Sequence, residues 1–186
     1  MAYFDADSVR AERIKEDADY EGVRVTFNGF LGKAKIPIQV DIGFGDVVTP
    51  GPKLAEYPAM LEMPKPKLLA YPIETVIAEK VEAMVKLAIA NSRMKDFHDV
   101  RTLLKDFEFK GPDLRTALEN TLKRRNTALP ADSKEPLAFT DAFYDDDSKR
   151  AQWNAFINKN KAYVQAEELK DVVIAIRDFV MPVFDH

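Results

Sequence analysis

Between residues 45 and 72 the chain gathers six of its eleven prolines: Pro50, Pro52, Pro58, Pro64, Pro66 and Pro72. A proline has a fixed φ and no amide hydrogen to donate, so neither a helix nor an interior strand runs through such a stretch. It reads as a connector or wrapping segment, with room for a short strand at 67–71. The connector separates two regimes of hydrophobic periodicity. Before it, VRVTF (23–27) and IPIQVDIGF (36–44) alternate with period two, which predicts two strands that pair antiparallel across a turn or hairpin in NGFLGK (28–33). Pro37 suits an edge or bulged position in the second of these. After it, from Ile73 nearly to the end, the period is helical, with helices predicted over 73–90, 92–107, 112–125, 148–160 and 164–180. Pro112 after Gly111 is a good helix start, and the acidic run 145–147 is a good helix entrance. Residues 5–18 are predicted as a further short helix, opened by Asp5 and Asp7. The fold class is therefore α+β: a sheet-bearing lobe over 1–71, including the proline-rich connection, and a helical lobe over 72–186.

Composition bounds the chemistry. A chain of 186 residues that is 46% hydrophobic can bury a real core and is not a disordered sequence. Its 27 basic and 31 acidic residues give a net charge of -4, which argues against a protein that coats DNA, though not against a local basic patch. The absence of cysteine excludes disulfides, thiolate metal sites and cysteine nucleophiles, and two histidines, His98 and His186, are too few for a histidine-built metal centre. No run approaches the ~20 apolar residues that span a bilayer, and the N-terminus lacks the basic-then-apolar pattern of a signal peptide. The sequence reads as a soluble, cytoplasmic protein.

Three ionisable residues occupy places where the pattern is informative. Asp41 shares a strand face with Pro37 and Gln39, opposite the Ile36, Ile38, Val40 and Ile42 face that is expected to be buried. It is a solvated residue or a hard oxygen ligand lining a cleft beside Gly43 and Gly45. Lys80 falls at about the centre of the apolar arc of the first long helix, formed by Ile73, Val76, Ile77, Val81, Met84 and Leu87, while Glu79, Glu82 and Lys86 fall on the opposite side. Asp96 lies within the apolar arc of the next helix, with Asp99 at its edge. Lys80 and Asp96 either form a buried interhelical ion pair or join Asp41 around a cleft for a nucleotide phosphate.

Weaker signals are read conservatively. The run 123–125 (KRR), with Arg93, Lys95 and Arg101, is a solvated helix surface before it is a set of phosphate contacts. Trp153, with Phe156 and Ile157, is a core residue before it is a base-stacking platform. His98 is structural or exposed, and the three aspartates 145–147 lack the glycine and closing glutamate of a calcium loop.

The segment YPIETVIAEKVEAMVKLAIANSRMKDFHDVRTLL (71–104) closely resembles the signature helices of the AbiEii/AbiGii toxin family, nucleotidyltransferase-like proteins of type IV toxin–antitoxin (abortive infection) systems. Its Y-P-x-E-T-x-x-A-E-K run and the R-x-K-D-x-x-D that follows carry the resemblance, and GKAKIPIQVDIGFGDVVTPGP (32–52) resembles the family's strand before its proline-rich connection. The resemblance implies a minimal nucleotidyltransferase core with a helical C-terminal lobe, Mg²⁺ and a nucleoside triphosphate as cofactors, an antitoxin partner, and transfer of a nucleotide to an RNA acceptor such as tRNA. By position, Asp41 corresponds to the third core carboxylate and metal ligand. Lys80 corresponds to the triphosphate-binding lysine, Asp96 to its acidic partner or base, and Arg93, Lys95 and Asp99 to the remaining members of the second motif. Catalytic roles thus fall to Asp41, Lys80 and Asp96, and phosphate-binding roles to Lys80, Arg93, Lys95 and Asp99.

The family's glycine–serine turn and D-x-D strand, which hold phosphates and metals, do not occur ahead of Asp41. Asp5-Ala6-Asp7 is read as a helix cap instead. The expectation is a chain equivalent to the back two-thirds of a nucleotidyltransferase, through a misassigned start or as a natural remnant, with impaired transfer activity. The alternative is a non-catalytic interaction module that self-associates into a homo-oligomer or binds a partner protein through an uncovered strand edge. A third is a plain α+β domain in which Lys80 and Asp96 are structural.

Overall fold

The structure is a computed structural model that describes residues 2–16, 20–128 and 135–183. The chain divides into two compact units, Met1–Asp46 and Val47–His186.

The first unit is a three-stranded antiparallel sheet in the order β1 (Ala2–Glu16), β2 (Tyr20–Leu31), β3 (Ala34–Gly43). The expected antiparallel pair is present, with Val23 opposite Ile42, Val25 opposite Val40 and Phe27 opposite Ile38. The turn is tighter than the 28–33 expected from sequence. β2 runs to Leu31, and the reversal is made at Gly32, whose φ of +59° is the left-handed conformation that glycine adopts without a Cβ penalty.

The helix predicted over 5–18 is overturned: its described residues belong to β1, and Ala18 lies outside the described residues. Asp5 and Asp7 cap nothing. The pairing slips between Asp5 and Arg10, and Ser8 holds this irregularity by donating to the Asp5 carbonyl at 2.7 Å and accepting from the Asn28 amide at 2.9 Å. That slip breaks the period-two signal of β1, and in the sequence Val9, Ile14 and Ala18, at roughly helical spacing, imitate a helix. The apolar face of β3 is also less buried than expected. Ile36, Val40 and Ile42 are 40–45% exposed, because a unit made of one sheet has no second layer of its own.

The second unit begins with part of the proline-rich segment. β4 (Lys53–Glu56) and β5 (Lys67–Ala70) form an antiparallel hairpin, with the predicted short strand as its second arm. Ahead of it, Thr49 exchanges backbone N–H and C=O hydrogen bonds with the Thr75 hydroxyl and takes a further one from Asn120. Among the described residues six α-helices follow: α1 (Ile73–Leu87), α2 (Met94–Asp106), α3 (Gly111–Arg124), the single turn α4 (Asp141–Tyr144), α5 (Asp147–Asn160) and α6 (Leu169–Val180). The five longer ones match the five predicted to within a few residues, except that α6 starts at Leu169 rather than 164, and the single turn α4 was not predicted. Pro112 opens α3, and the Asp146 carboxylate caps α5 by accepting from the Lys149 amide at 2.9 Å. The core of this unit joins Ile77, Phe97, Leu118, Phe143, Trp153 and Ile176, with Phe97 stacked on Phe143 at 5.2 Å. Among the described residues no helix is long and apolar enough to cross a membrane. The architecture is α+β, a small antiparallel sheet followed by helices.

Candidate functional site

Lys80 projects from the middle of α1 onto the first turns of α2. Its ammonium donates to Asp96 Oδ1 at 2.5 Å and lies 2.9 Å from Asp99 Oδ2, while Lys95 reaches Asp99 Oδ2 at 2.5 Å from one helical turn away. The i, i+3 spacing of Asp96 and Asp99 puts both carboxylates on one side of α2, so a single lysine meets both. The side chains of Lys80, Asp96 and Asp99 are 21%, 17% and 23% exposed, so the cluster is half-buried and open to solvent on one side. Burial works against the charge on Lys80, but the hydrogen bonds it donates to Asp96 and Asp99 outweigh it and hold its pKa above the ordinary lysine value. Burial likewise opposes the charge on Asp99, and hydrogen bonds from Lys95 and Lys80 bring its pKa below the ordinary value. The interhelical ion pair, one of the two arrangements that the helical wheels left open, is therefore present, enlarged by Asp99 and Lys95.

The approach to this cluster is fixed from below. Ala88 ends α1 with φ +45°, a strained conformation for a residue with a Cβ. The connector then turns through buried Asn91, whose side chain accepts from the Arg93 amide at 2.8 Å. The Asn91 carbonyl accepts from Lys149 of α5 at 2.9 Å, a lysine only 5% exposed. Arg93, at the entrance to α2, is exposed.

Asp41 belongs to the other unit. It sits directly across from Arg24, which grips it with two parallel hydrogen bonds, Nε to Oδ1 at 2.8 Å and Nη2 to Oδ2 at 2.9 Å. Gln39 adds a third at 3.1 Å. The arginine fork holds the Asp41 carboxyl below the usual carboxylate range.

The family model described as nucleotidyl transferase AbiEii toxin, type IV TA system, matches residues 2–175. The chain belongs to the AbiEii family. No curated protein and no solved structure matches it. In this AbiEii chain the A-E-K lysine and the R-x-K-D-x-x-D acids, remote in sequence, meet in one cluster, while Asp41 is engaged within its own sheet.

The nucleotidyl transferase assignment suggests nucleotide and metal use. Residues with the chemistry for phosphate are at hand in Lys80, Lys95 and Arg93. The fit to a metal is poor: both oxygens of Asp41 are taken up by the Arg24 fork, and among the described residues no three His, Asp or Glu side chains group as metal ligands.

Other polar residues escaped the sequence reading. Glu82, expected on the solvent side of α1, is 1% exposed and accepts from Arg125 at 3.0 Å and Thr127 at 2.5 Å. Arg125, taken as part of a solvated basic surface, is thus a structural partner of α1. Trp153 is core as expected, 2% exposed, and donates to the Glu167 carbonyl at 2.7 Å. Glu167 gathers Arg101 and Lys105 of α2, at 2.7 and 2.8 Å. An arginine and a lysine one turn apart on α2 were the sequence signal for that group; the carboxylate they share lies 62 residues beyond Lys105 and left none.

Proposed function

We propose that this AbiEii chain handles the triphosphate end of a nucleotidyl transfer to an RNA acceptor of the tRNA kind, with low transfer activity of its own. The observation that carries the reading is the meeting of Lys80 with Asp96 and Asp99 at a half-open surface. A lysine held charged by two fixed carboxylates is a preset point charge for a phosphate oxygen; Lys95 shares Asp99 with it, and Arg93 stands exposed at the entrance to the same helix α2. In the transfer, an acceptor hydroxyl oxygen bonds to the α-phosphorus and the bond to the bridging oxygen breaks. Pyrophosphate leaves with the electron pair, and the hydroxyl proton passes to a carboxylate, for which Asp96 is the candidate. Asp41 would contribute the sheet carboxylate of the parent reaction. Its arginine-bound state supports weak activity rather than efficient transfer.

The test is nucleotide binding first, by calorimetry, and incorporation of labelled nucleotide into RNA second. Lys80→Ala is expected to weaken triphosphate binding at least tenfold, while Lys86→Ala, on an exposed position of the same helix, leaves it unchanged. Equal affinities for the two variants refute the phosphate role of Lys80, and incorporation at the rate of an efficient transferase refutes the impairment.

A second reading, an interaction module for an antitoxin or another copy of the chain, draws support from the β4–β5 hairpin. Leu54, Met60, Leu61 and Leu69 there are 68–100% exposed, more apolar surface than a hairpin of this size ordinarily presents to water. A strict monomer by light scattering at high concentration, with no loss of solubility, counts against self-association.

A further inference from the structure

We infer that the cleft between α2, α5 and the segment 161–168 is the seat of an unpaired nucleotide of the RNA acceptor strand. The inference rests on the RNA-acceptor reading above and adds the place where that strand lies. The cleft has a volume of about 250 Å³. That is just under the ~300 Å³ at which enclosed small-molecule sites begin, so it suits one base with its sugar rather than a larger ligand.

Its walls supply the separate contacts that a single-stranded nucleotide needs. Tyr163 lines it with a side chain 91% exposed, an aromatic ring on the rim that the fold does not use for packing. Every base has a π-face, so such a ring recognises nucleotides irrespective of sequence. Arg101 and Lys105 line the same cleft and are held in place by Glu167, Arg101 through two bonds to Oε1 at 2.8 and 2.7 Å and Lys105 through one to Oε2 at 2.8 Å. An arginine whose Nε and Nη2 are both committed to a carboxylate keeps further N–H groups for a phosphate or a base edge. Trp153 forms the floor, anchored by its indole bond to the Glu167 carbonyl.

The charge selects the ligand. Two cations face two carboxylates, Glu167 and Asp106, so the cleft is close to neutral. A duplex, with its dense phosphate backbone, gains little there, whereas stacking on Tyr163 is unaffected by neutrality. The position is also suited to an acceptor. His98, on the cleft wall, is next in sequence to Asp99 of the lysine cluster, and its Nδ1 lies 3.7 Å from Asp99 Oδ1. One helix thus carries both the triphosphate cluster and the cleft.

The chain's single tryptophan makes the cleft observable. The experiment titrates the 186-residue protein, without nucleotide, with a short fluorescein-labelled single-stranded RNA. Binding is followed by anisotropy, and Trp153 emission is followed with the unlabelled strand. Binding is expected to change Trp153 emission, and Tyr163→Ala is expected to weaken it about tenfold, the loss of one stacked base. Lys105→Ala is expected to lower the salt dependence by about 0.7 in the log–log slope, one single-strand phosphate contact. The blunt duplex of the same sequence should bind more weakly than the single strand. Tyr163 is so exposed that its removal leaves the fold intact, which circular dichroism checks. Binding that leaves Trp153 unchanged, an unaltered affinity in Tyr163→Ala, or a preference for the duplex overturns the inference. Lys80→Ala separates the two readings: it should weaken triphosphate binding at least tenfold and leave RNA affinity as it was. Loss of triphosphate binding in the wild type with RNA binding intact would refute only the triphosphate role.

Discussion

Glu82 is the residue whose environment departs furthest from its sequence pattern. A helical wheel assumes one buried side, and on that assumption Glu82 faces water. α1 is instead covered on several sides, with Thr75, Ala83 and Glu82 buried along with Ile77, Val81 and Met84. A buried carboxylate is tolerated because Arg125 and Thr127 satisfy it, and this makes the two partners unequal. Arg125→Ala leaves an unpaired buried charge and is expected to cost about 3–5 kcal/mol. Glu82→Gln keeps the shape, leaves Arg125 a partly solvated position, and is expected to cost about 1–3 kcal/mol. Urea unfolding followed by Trp153 fluorescence measures both, and the reverse order refutes the account. The ion pairs also set a pH window. Asp99 and Glu167 titrate below their ordinary values of 3.8 and 4.5, so their stabilisation is complete above those values and is lost as the pH falls through the lowered folded ones. Lys80 titrates above 10.5, so its contribution holds below that pH and disappears as the pH rises through the higher folded value. Stability from these groups should therefore be flat between about pH 4.5 and 10.5, with acid loss reduced in Asp99→Asn; a slope near neutrality contradicts the assignment.

At the scale of elements, what was legible depended on whether local periodicity and tertiary pairing agree. α1, α2, α3 and α5 bury an apolar stripe or open on a recognisable first turn, so pattern and fold point the same way. The Lys80–Asp96 contact was legible for the same reason, since two charges inside two apolar stripes have each other as the nearest remedy. β1 was misread because its pairing slips between Asp5 and Arg10, and only the partner strand tells which residues face which way. α6 was predicted too early because Val164 continues an apolar run, while the chain at 164–168 serves instead to seat Trp153 and Glu167. The sheet has its own sensitive point at Gly32. A Cβ there meets nothing within 4 Å, so any effect of substitution comes from its φ alone. Gly32→Val is expected to destabilise by about 1–3 kcal/mol. Gly51→Ala, where a Cβ also meets nothing and φ is not left-handed, is expected to be neutral or to stabilise by up to about 1 kcal/mol. Chemical unfolding followed by far-ultraviolet circular dichroism distinguishes them, and equal effects would mean that backbone conformation at Gly32 is not limiting.

For the whole molecule the governing quantity is its charge. On the proposed RNA-acceptor reading, a net charge of -4 repels that polyanion at long range, so it is not gathered by a general basic field. Recognition of the strand then has to be local, by the cations that a fixed carboxylate holds in place, Arg101 and Lys105 on Glu167, as Lys80 on Asp96 and Asp99 is held for the triphosphate. Each of these cations is already partly neutralised, which keeps its geometry at the expense of long-range attraction. The consequence is a shallow response to salt. Each single-strand phosphate contact contributes about -0.7 to the slope of log affinity against log salt, and a site using Arg101 and Lys105 alone should give a total near -1 to -2. A slope several times steeper would show that RNA lies along a broader surface than the cleft. Association is expected to be correspondingly slow, without electrostatic steering, and to change little with ionic strength. A stopped-flow measurement of Trp153 emission at two salt concentrations decides this. An association rate that falls steeply with salt would place a steering field on a molecule whose overall charge opposes one, and would count against recognition confined to these paired cations.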